Sequence, residues 1–395
     1  MNLSLCNLLW IGILLMTVSC QHHHLEPPTQ TLSTLSKTPK RTMEFPWQTG
    51  EWSGRIQGLS EPEVQVSRNL VKLSIKLAEN ASPLTCLLNG QSLPVTIWMH
   101  ALLKRSIQSP DHYQAFASHM KLIHGRPSFM VTVIERANTD LMPSSPPLLL
   151  VGSQHPFGSS LCYQRSFAPL SNLENSLVYL FESLQGPESK AAEWRQVYRL
   201  TVDQQTVGFS QLQKIGSKVS YDTQMLKPKP GGLLTSQVVR QRFTTGPEGI
   251  VRKAVFETFQ NMNLESHMTL KLIEPEIHRY TLSGHVKGAS IHETTSSPKP
   301  FLDPVTVHQR VSQNFAGQNG QALELSQYLL DANPKAFTQV HYQKGMESGQ
   351  VNLRIGHFVG LITLTKNIHT LQSQFRIGGS VVRSIPLRDT PGLGH

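Results

Sequence analysis

From Trp194 onward the chain is a succession of short segments whose apolar residues recur at every second position, each closed by a short polar turn. Residues 197–202, 207–215, 219–225, 237–243 and 250–259 have this form. Residues 268–273, 278–282 and 285–292 continue it. A period of two puts alternate side chains on opposite faces, which is a strand pattern. Connections of two to five residues, such as Asp203-Gln204-Gln205 and Thr245-Gly246-Pro247-Glu248-Gly249, join neighbouring strands into antiparallel hairpins. So long a meander must close, curl or be covered, because a flat sheet leaves reactive edges.

Further strands are expected at 337–342, 349–355, 361–366 and 371–377, and a helix at 322–330. Residues 294–304 are rich in Ser, Thr and Pro and read as a loop.

Residues 46–186 read as mixed. Strands are expected at 63–77, 129–134 and 148–151. Apolar residues at helical spacing predict helices at 95–107 and at 112–123, where Phe116, Met120 and Ile123 carry the pattern. Leu170 to Leu184 places Leu173, Leu177, Leu180, Phe181 and Leu184 on one stripe, and Gly186-Pro187 stops that helix. The fold class expected is α+β with β dominant. A mixed α/β part (46–186) precedes a curved antiparallel sheet or partial barrel (187–395). Aromatic residues on the strands, namely Trp194, Phe209, Phe243, Phe256 and Phe259, are candidates to line an apolar pocket on its concave face.

The N-terminus is different in kind. Leu8 to Val18 is almost unbroken apolar sequence ending in small residues, the form of an export signal and short for a membrane span. Its end, Met16-Thr17-Val18-Ser19-Cys20, resembles the lipobox of bacterial lipoproteins. That resemblance implies a signal at 1–19, acyl chains on Cys20 and attachment to a membrane. Gln21, where the class uses Asp to retain proteins in the inner membrane, implies the outer membrane. An ordinary cleaved signal with secretion, and an uncleaved anchor, are the alternatives. Residues 20–45 then form a lipid-bearing, polar tether.

Four cysteines are present. With Cys6 in the signal and Cys20 acylated, Cys86 and Cys162 remain, either as a disulfide in an oxidising compartment or as two buried thiols.

Chemistry is sparse. G-x-S-x-G, the phosphate-binding G-x-x-x-x-G-K-[ST], H-E-x-x-H and C-x-x-C are all absent. Ser118-x-x-Lys121 matches the S-x-x-K of penicillin-interacting enzymes without the accompanying K-T-G. The most enzyme-like stretch is Gln154 to Cys162, read as a loop after an apolar strand. There His155 with Ser159 or Cys162 would supply a base and a nucleophile. His22–His24 on the tether would make only a weak, non-selective site, and His100, His112, His119 and His124 lack the i, i+4 spacing and interspersed carboxylates of a ligand set, so no metal and no cofactor is expected.

Lys and Arg number 36 against 26 acids, a net charge of +10. Arg240, Arg242, Arg252, Lys253, Lys271, Arg279 and Lys287 fall on the expected strands. Such a surface attracts an acidic lipid or an envelope polyanion. An exported chain without stacking motifs is not expected to bind nucleic acid. The expected function is a non-catalytic envelope binding module for a lipid, glycan or protein. An accessory subunit tethering an envelope complex, and a periplasmic hydrolase or transferase using residues 155–162, are the alternatives.

Overall fold

The structure, a computed structural model, describes residues 43–68, 70–79, 81–90, 94–106, 113–135, 145–155, 158–167, 170–186, 194–228, 234–316, 321–330, 333–364, 371–377 and 380–387. The expected signal, Cys20, and most of the expected tether lie outside these residues. The tether's last three residues do not: Met43–Thr49 is a strand, β1, paired with β2 (Trp52–Gly58).

The protein is β-dominated, with two large antiparallel sheets and three α-helices among the described residues. The smaller sheet contains β3 (Glu63–Ser67), β4 (Leu70–Ile75), β5 (Leu84–Asn89), β6 (Tyr113–Ile123), β7 (Arg126–Glu135), β8 (Leu148–His155) and β9 (Gly158–Arg165), in the order β3-β4-β5-β9-β8-β7-β6. Every pair is antiparallel. The expected mixed α/β arrangement of 46–186 is thus corrected to an antiparallel sheet with a helix on each face. Helix α1 (Val95–Ser106) packs on one face, where Val95, Met99 and Leu103 meet Phe129, Val131 and Leu150. Helix α2 (Leu170–Ser183) and the β1–β2 hairpin cover the other, with Leu177, Leu180 and Phe181 against Leu73, Leu88 and Val151. Gly152 lets α1 approach, since a Cβ there would stand 2.1 Å from Val95 Cγ1.

Residues 112–123, expected to be helical, form β6 from Tyr113. Two features imitated a helical period. The β6–β7 register shifts between Ala115 and Ala117, so Phe116 is the extra residue of a bulge. Met120 and Ile123, three apart, bury on opposite faces, because both faces of this sheet are covered.

The larger sheet holds two meanders. The first runs through β10 (Trp194–Val202), β11 (Gln205–Ile215), β12 (Lys218–Pro228), β13 (Leu234–Thr245), β14 (Val251–Gln260), β15 (Asn263–Glu274), β16 (Arg279–Val286) and β17 (Ala289–Ser296). Helix α3 (Pro304–Phe315) follows. The second meander is β18 (Leu323–Tyr328), β19 (Phe337–Lys344), β20 (Gln350–Ile355), β21 (Phe358–Leu364), β22 (Leu371–Ile377) and β23 (Ser380–Pro386). Strand β23 returns to pair with β10, giving one fourteen-stranded sheet with β17 and β18 at its edges. The helix expected at 322–330 is corrected to β18. Its Leu and Glu favour a helix locally, but full antiparallel pairing with β19 overrides propensity.

Strand spacing shows that the sheet curls. Strands β14 and β18 are ten places apart, roughly 48 Å in a flat sheet. Yet the rings of Phe256 on β14 and Tyr328 on β18 are 5.1 Å apart. Tyr280 on β16 and Phe337 on β19 are also 5.1 Å apart. The sheet is not closed. Its edges are joined through the segment after β17: Phe301 forms a single parallel bridge to Ser326. The ion pairs Glu293–Lys335 and Lys299–Glu324 lie alongside.

Helix α3 lies within the curl. Asp303 caps it, accepting from Val305 N at 2.9 Å and Thr306 N at 3.0 Å, and Pro304 supplies the preset first turn. Val307, Val311 and Phe315 face Tyr342, Leu353 and Ile362.

The two sheets share a core. Phe209, Leu226 and Leu234 of the larger sheet pack among the α1 residues, and Phe129 and Phe209 meet edge to face at 5.6 Å. Gln224 ties the seam, accepting from Thr96 N at 3.3 Å and donating to Gln154 Oε1 at 3.3 Å.

Candidate functional site

The described residues of the stretch, Gln154, His155 and Gly158 to Cys162, are not loop residues but belong to the paired strands β8 and β9, and they are buried. Cys86 and Cys162 sit directly opposite on β5 and β9 and form a disulfide with Cα atoms 4.0 Å apart. Cys162 is therefore no nucleophile. Alternation separates His155 from Ser159. His155 lies on the α2 side, its ring 5.1 Å from Phe181. Ser159, paired with Gln154, is on the other face, its Oγ buried without a hydrogen-bond partner among the described residues.

The structure instead brings His155 to Ser160, with Nε2 to Oγ at 2.6 Å. This resembles a base–nucleophile pair until the other ring nitrogen is considered. Arg126 Nη1 is 2.6 Å from Nδ1. A guanidinium only donates, so Nδ1 must accept. The neutral ring then carries its proton on Nε2 and donates it to Ser160. A general base must present a lone pair to the hydroxyl, so this pair is reversed for catalysis. Burial first, then the charges of Arg126 and Arg195, hold the imidazole well below its usual 6.5 and keep it neutral. The S-x-x-K match fails too. It lies on strand β6, where no helical turn brings its ends together, and Lys121 is ion-paired with Glu174 of α2.

Among the described residues, no group of three His, Cys, Asp or Glu is placed to hold a metal, and His112 lies outside them. No described helix is long and apolar enough to cross a membrane.

Arg240 and Arg242 alternate with the cavity-facing Gln241 and Phe243 and so point outward. Arg242 makes a bidentate contact to Asp222, at 2.5 and 2.8 Å. Arg240 lies 3.9 Å from both Asp222 and Glu257. Glu257 reaches His267 at 3.5 Å, and His267 stacks on His285. Asp222, Arg240, Glu257, His267 and His285 are directly opposed on successive strands and, with Arg242 diagonal to Asp222, make a polar ladder across β12–β16 on the convex face. Arg279 is paired with Glu274, while Arg252, Lys253, Lys271 and Lys287 are exposed.

The concave face holds an aromatic-lined cavity. Its volume is about 90 Å³, and it lies between α3 and the inner surfaces of both meanders. One wall is aromatic. Phe243 and Phe256 meet edge to face at 5.6 Å, Phe243 and Phe301 at 6.2 Å, and Tyr328 closes on Phe256. The opposite wall carries neutral polar groups. Ser373 and Ser384 face each other across β22 and β23, and Tyr198 stands on the adjoining β10. The Tyr198 hydroxyl is 3.4 Å from His308 Nδ1 of α3. The aromatic side is not wholly apolar: Gln241 stands on the strand of Phe243, and Gln327, next to Tyr328, donates from Nε2 to the Tyr342 hydroxyl at 3.3 Å. Burial raises Tyr198 well above its usual value and raises Tyr221, so both phenols keep their protons.

Of the five aromatic residues proposed from sequence to line a pocket, Phe243 and Phe256 do so. Phe209 points the other way into the shared core, Trp194 packs beside the Tyr198 core, and Phe259 is half-buried away from the cavity. Sequence reasoning missed α3 with His308, and the serines of β22 and β23. The signal for α3 was Asp303-Pro304 followed by Val307, Val311 and Phe315 at four-residue spacing.

These features define a class by architecture: a curled, open antiparallel sheet wrapped around one helix, with an aromatic and neutral-polar cavity between them. No family model matches the chain, and no curated protein matches it. Two solved structures are similar in part. One is a β-barrel-like protein of the domain of unknown function DUF1849 from Brucella abortus. It is 11% identical, with a TM-score of 0.35, over 50% of this chain and 97% of that one. The other is a DUF1089 family protein from Pseudomonas aeruginosa, 11% identical, with a TM-score of 0.28, over 53% of this chain and 98% of that one. At these scores the likeness assigns neither family nor activity.

Proposed function

We propose that the protein is a non-catalytic binding module that holds an apolar ligand inside its curled sheet, tethered to a bacterial envelope membrane through acylated Cys20. The observation that carries this is the cavity between α3 and the aromatic wall of Phe243, Phe256, Phe301 and Tyr328. Concave, mostly apolar sites with a few placed polar groups are the usual form of ligand sites. At about 90 Å³ the cavity is smaller than the roughly 300–1,000 Å³ that encloses a whole drug-sized ligand, so it takes the slender end of a chain and not a glycan. The export signal and the lipobox-like end at Cys20 support the anchor, and the uncovered cations of the convex face support attraction to acidic lipid head groups. The reversed His155–Ser160 pair speaks against the hydrolase alternative.

Two measurements test this. A fluorescent long-chain probe should bind the full chain saturably and be displaced by lipid extract, and the absence of saturable binding would remove the reading. Labelled palmitate should be incorporated by cells making the wild type and not by cells making Cys20→Ser. Equal incorporation would remove the anchor.

A further inference from the structure

The cavity carries information about the head of its ligand as well as its tail. None of its lining residues is Lys, Arg, Asp or Glu, although the chain as a whole is strongly basic. Three of the polar groups that face it, Ser373, Ser384 and Tyr198, sit together on neighbouring strands, while Gln241, Gln327 and Tyr342 reach it from β13, β18 and β19. Ser373 and Ser384 are direct cross-strand partners, so their side chains lie on the same face of the sheet. Tyr198 pairs with Pro386, two residues along β23 from Ser384, and so shares that face on the next strand. Its hydroxyl meets His308 of α3. Opposite stand Phe243, Phe256 and Phe301, which offer ring surfaces and no polar atom.

We infer that the cavity takes an uncharged amphiphile, with a hydroxyl, ester or amide head at Ser373, Ser384 and Tyr198 and an apolar chain along Phe243, Phe256 and Phe301. Hydroxyl side chains both donate and accept, so they match a neutral head of either polarity. A carboxylate, phosphate or ammonium head would lose its hydration against partners that carry no opposite charge, and burial of an unpaired charge is strongly unfavourable. Arg240, Arg242, Lys253 and Lys271 stand on the convex face, where they meet acidic surfaces without entering the cavity. This inference rests on the cavity being a ligand site, and it names the ligand's class.

The test uses three photoactivatable probes of one chain length: a fatty alcohol, the matching fatty acid and the matching alkyltrimethylammonium. Each is added to the full chain in phosphatidylcholine vesicles. Crosslinks are mapped to peptides by mass spectrometry. The expected result is labelling of the peptides bearing Phe243, Phe256 and Ile362 by the alcohol at least about tenfold above either charged probe. The double variant Ser373→Ala, Ser384→Ala should lose most of that preference. If the acid or the ammonium labels these peptides as well as the alcohol does, the inference on head class is overturned while the ligand site stands. If no probe labels them, the ligand site itself falls, and this inference with it.

Discussion

His155 shows how hydrogen-bond direction decides between a catalytic and a structural reading. Its contact to Ser160 has the length of a catalytic pair, but Arg126 on the other nitrogen fixes the tautomer that donates. A pH dependence follows. The native state holds this ring neutral, whereas the unfolded chain takes up a proton below 6.5. Stability contributed by the neutral ring is complete above that value and is lost as pH falls below it, by up to about 1.4 kcal/mol per pH unit. His100, also lowered, mainly by burial, adds to the same trend. Denaturant titrations from about pH 8 down to about pH 5 should show that slope in the wild type and a shallower one in His155→Gln. An unchanged slope would mean that His155 is not the buried neutral group described. The disulfide is the other residue-scale test. It joins positions 76 residues apart inside the core under α2. In the chain-entropy account that closure contributes about 4 kcal/mol. The Cys86→Ala, Cys162→Ala double variant should lose that order of stability, and its oxidised mass should no longer shift on reduction.

At the scale of elements, α3 organises the interior of the larger sheet. Asp303 satisfies two of its first backbone donors and accepts from the Thr306 hydroxyl at 2.7 Å. Asp303→Ala should cost about 1–2 kcal/mol in chemical denaturation and weaken ligand capture. A loss of stability with capture intact would separate the helix from the site. In the smaller sheet, Gly152→Val should displace α1, because even a Cβ meets Val95 and Met99. The readout is a stability loss of roughly 1–3 kcal/mol, from overpacking. The meander from Trp194 was legible in the sequence because one face of each strand meets a core and the other meets solvent, so Phe243, Phe256, Met268 and Leu270 alternate with polar neighbours. Strand β6 was not legible, since a bulge at Phe116 and burial on both faces erase that alternation. Nor was β18, whose leucines and glutamate favour a helix until β19 pairs with it. The cavity was half legible. Aromatic residues on strands are visible in sequence. Which face each occupies, and that Ser373, Ser384 and Tyr198 converge, depends on β23 returning to β10, a pairing 180 residues long that no local pattern encodes.

For the whole molecule, the division of charge is the informative feature. The Asp222, Arg240, Arg242 and Glu257 ladder occupies the convex face, while no Lys, Arg, Asp or Glu lines the concave cavity. A fourteen-stranded sheet that curls without closing gives that cavity a wall joined at its edges by one bridge, two ion pairs and aromatic contacts. The central claim is that this interior is a ligand site. Native mass spectrometry of the full chain, released gently from membranes and compared with a Ser384→Phe variant that fills the polar wall, tests it most directly. The account predicts a lipid-range adduct of fixed stoichiometry on the wild type and its loss from the folded variant. A folded wild type without adduct, or an adduct that survives filling of the cavity, would contradict it.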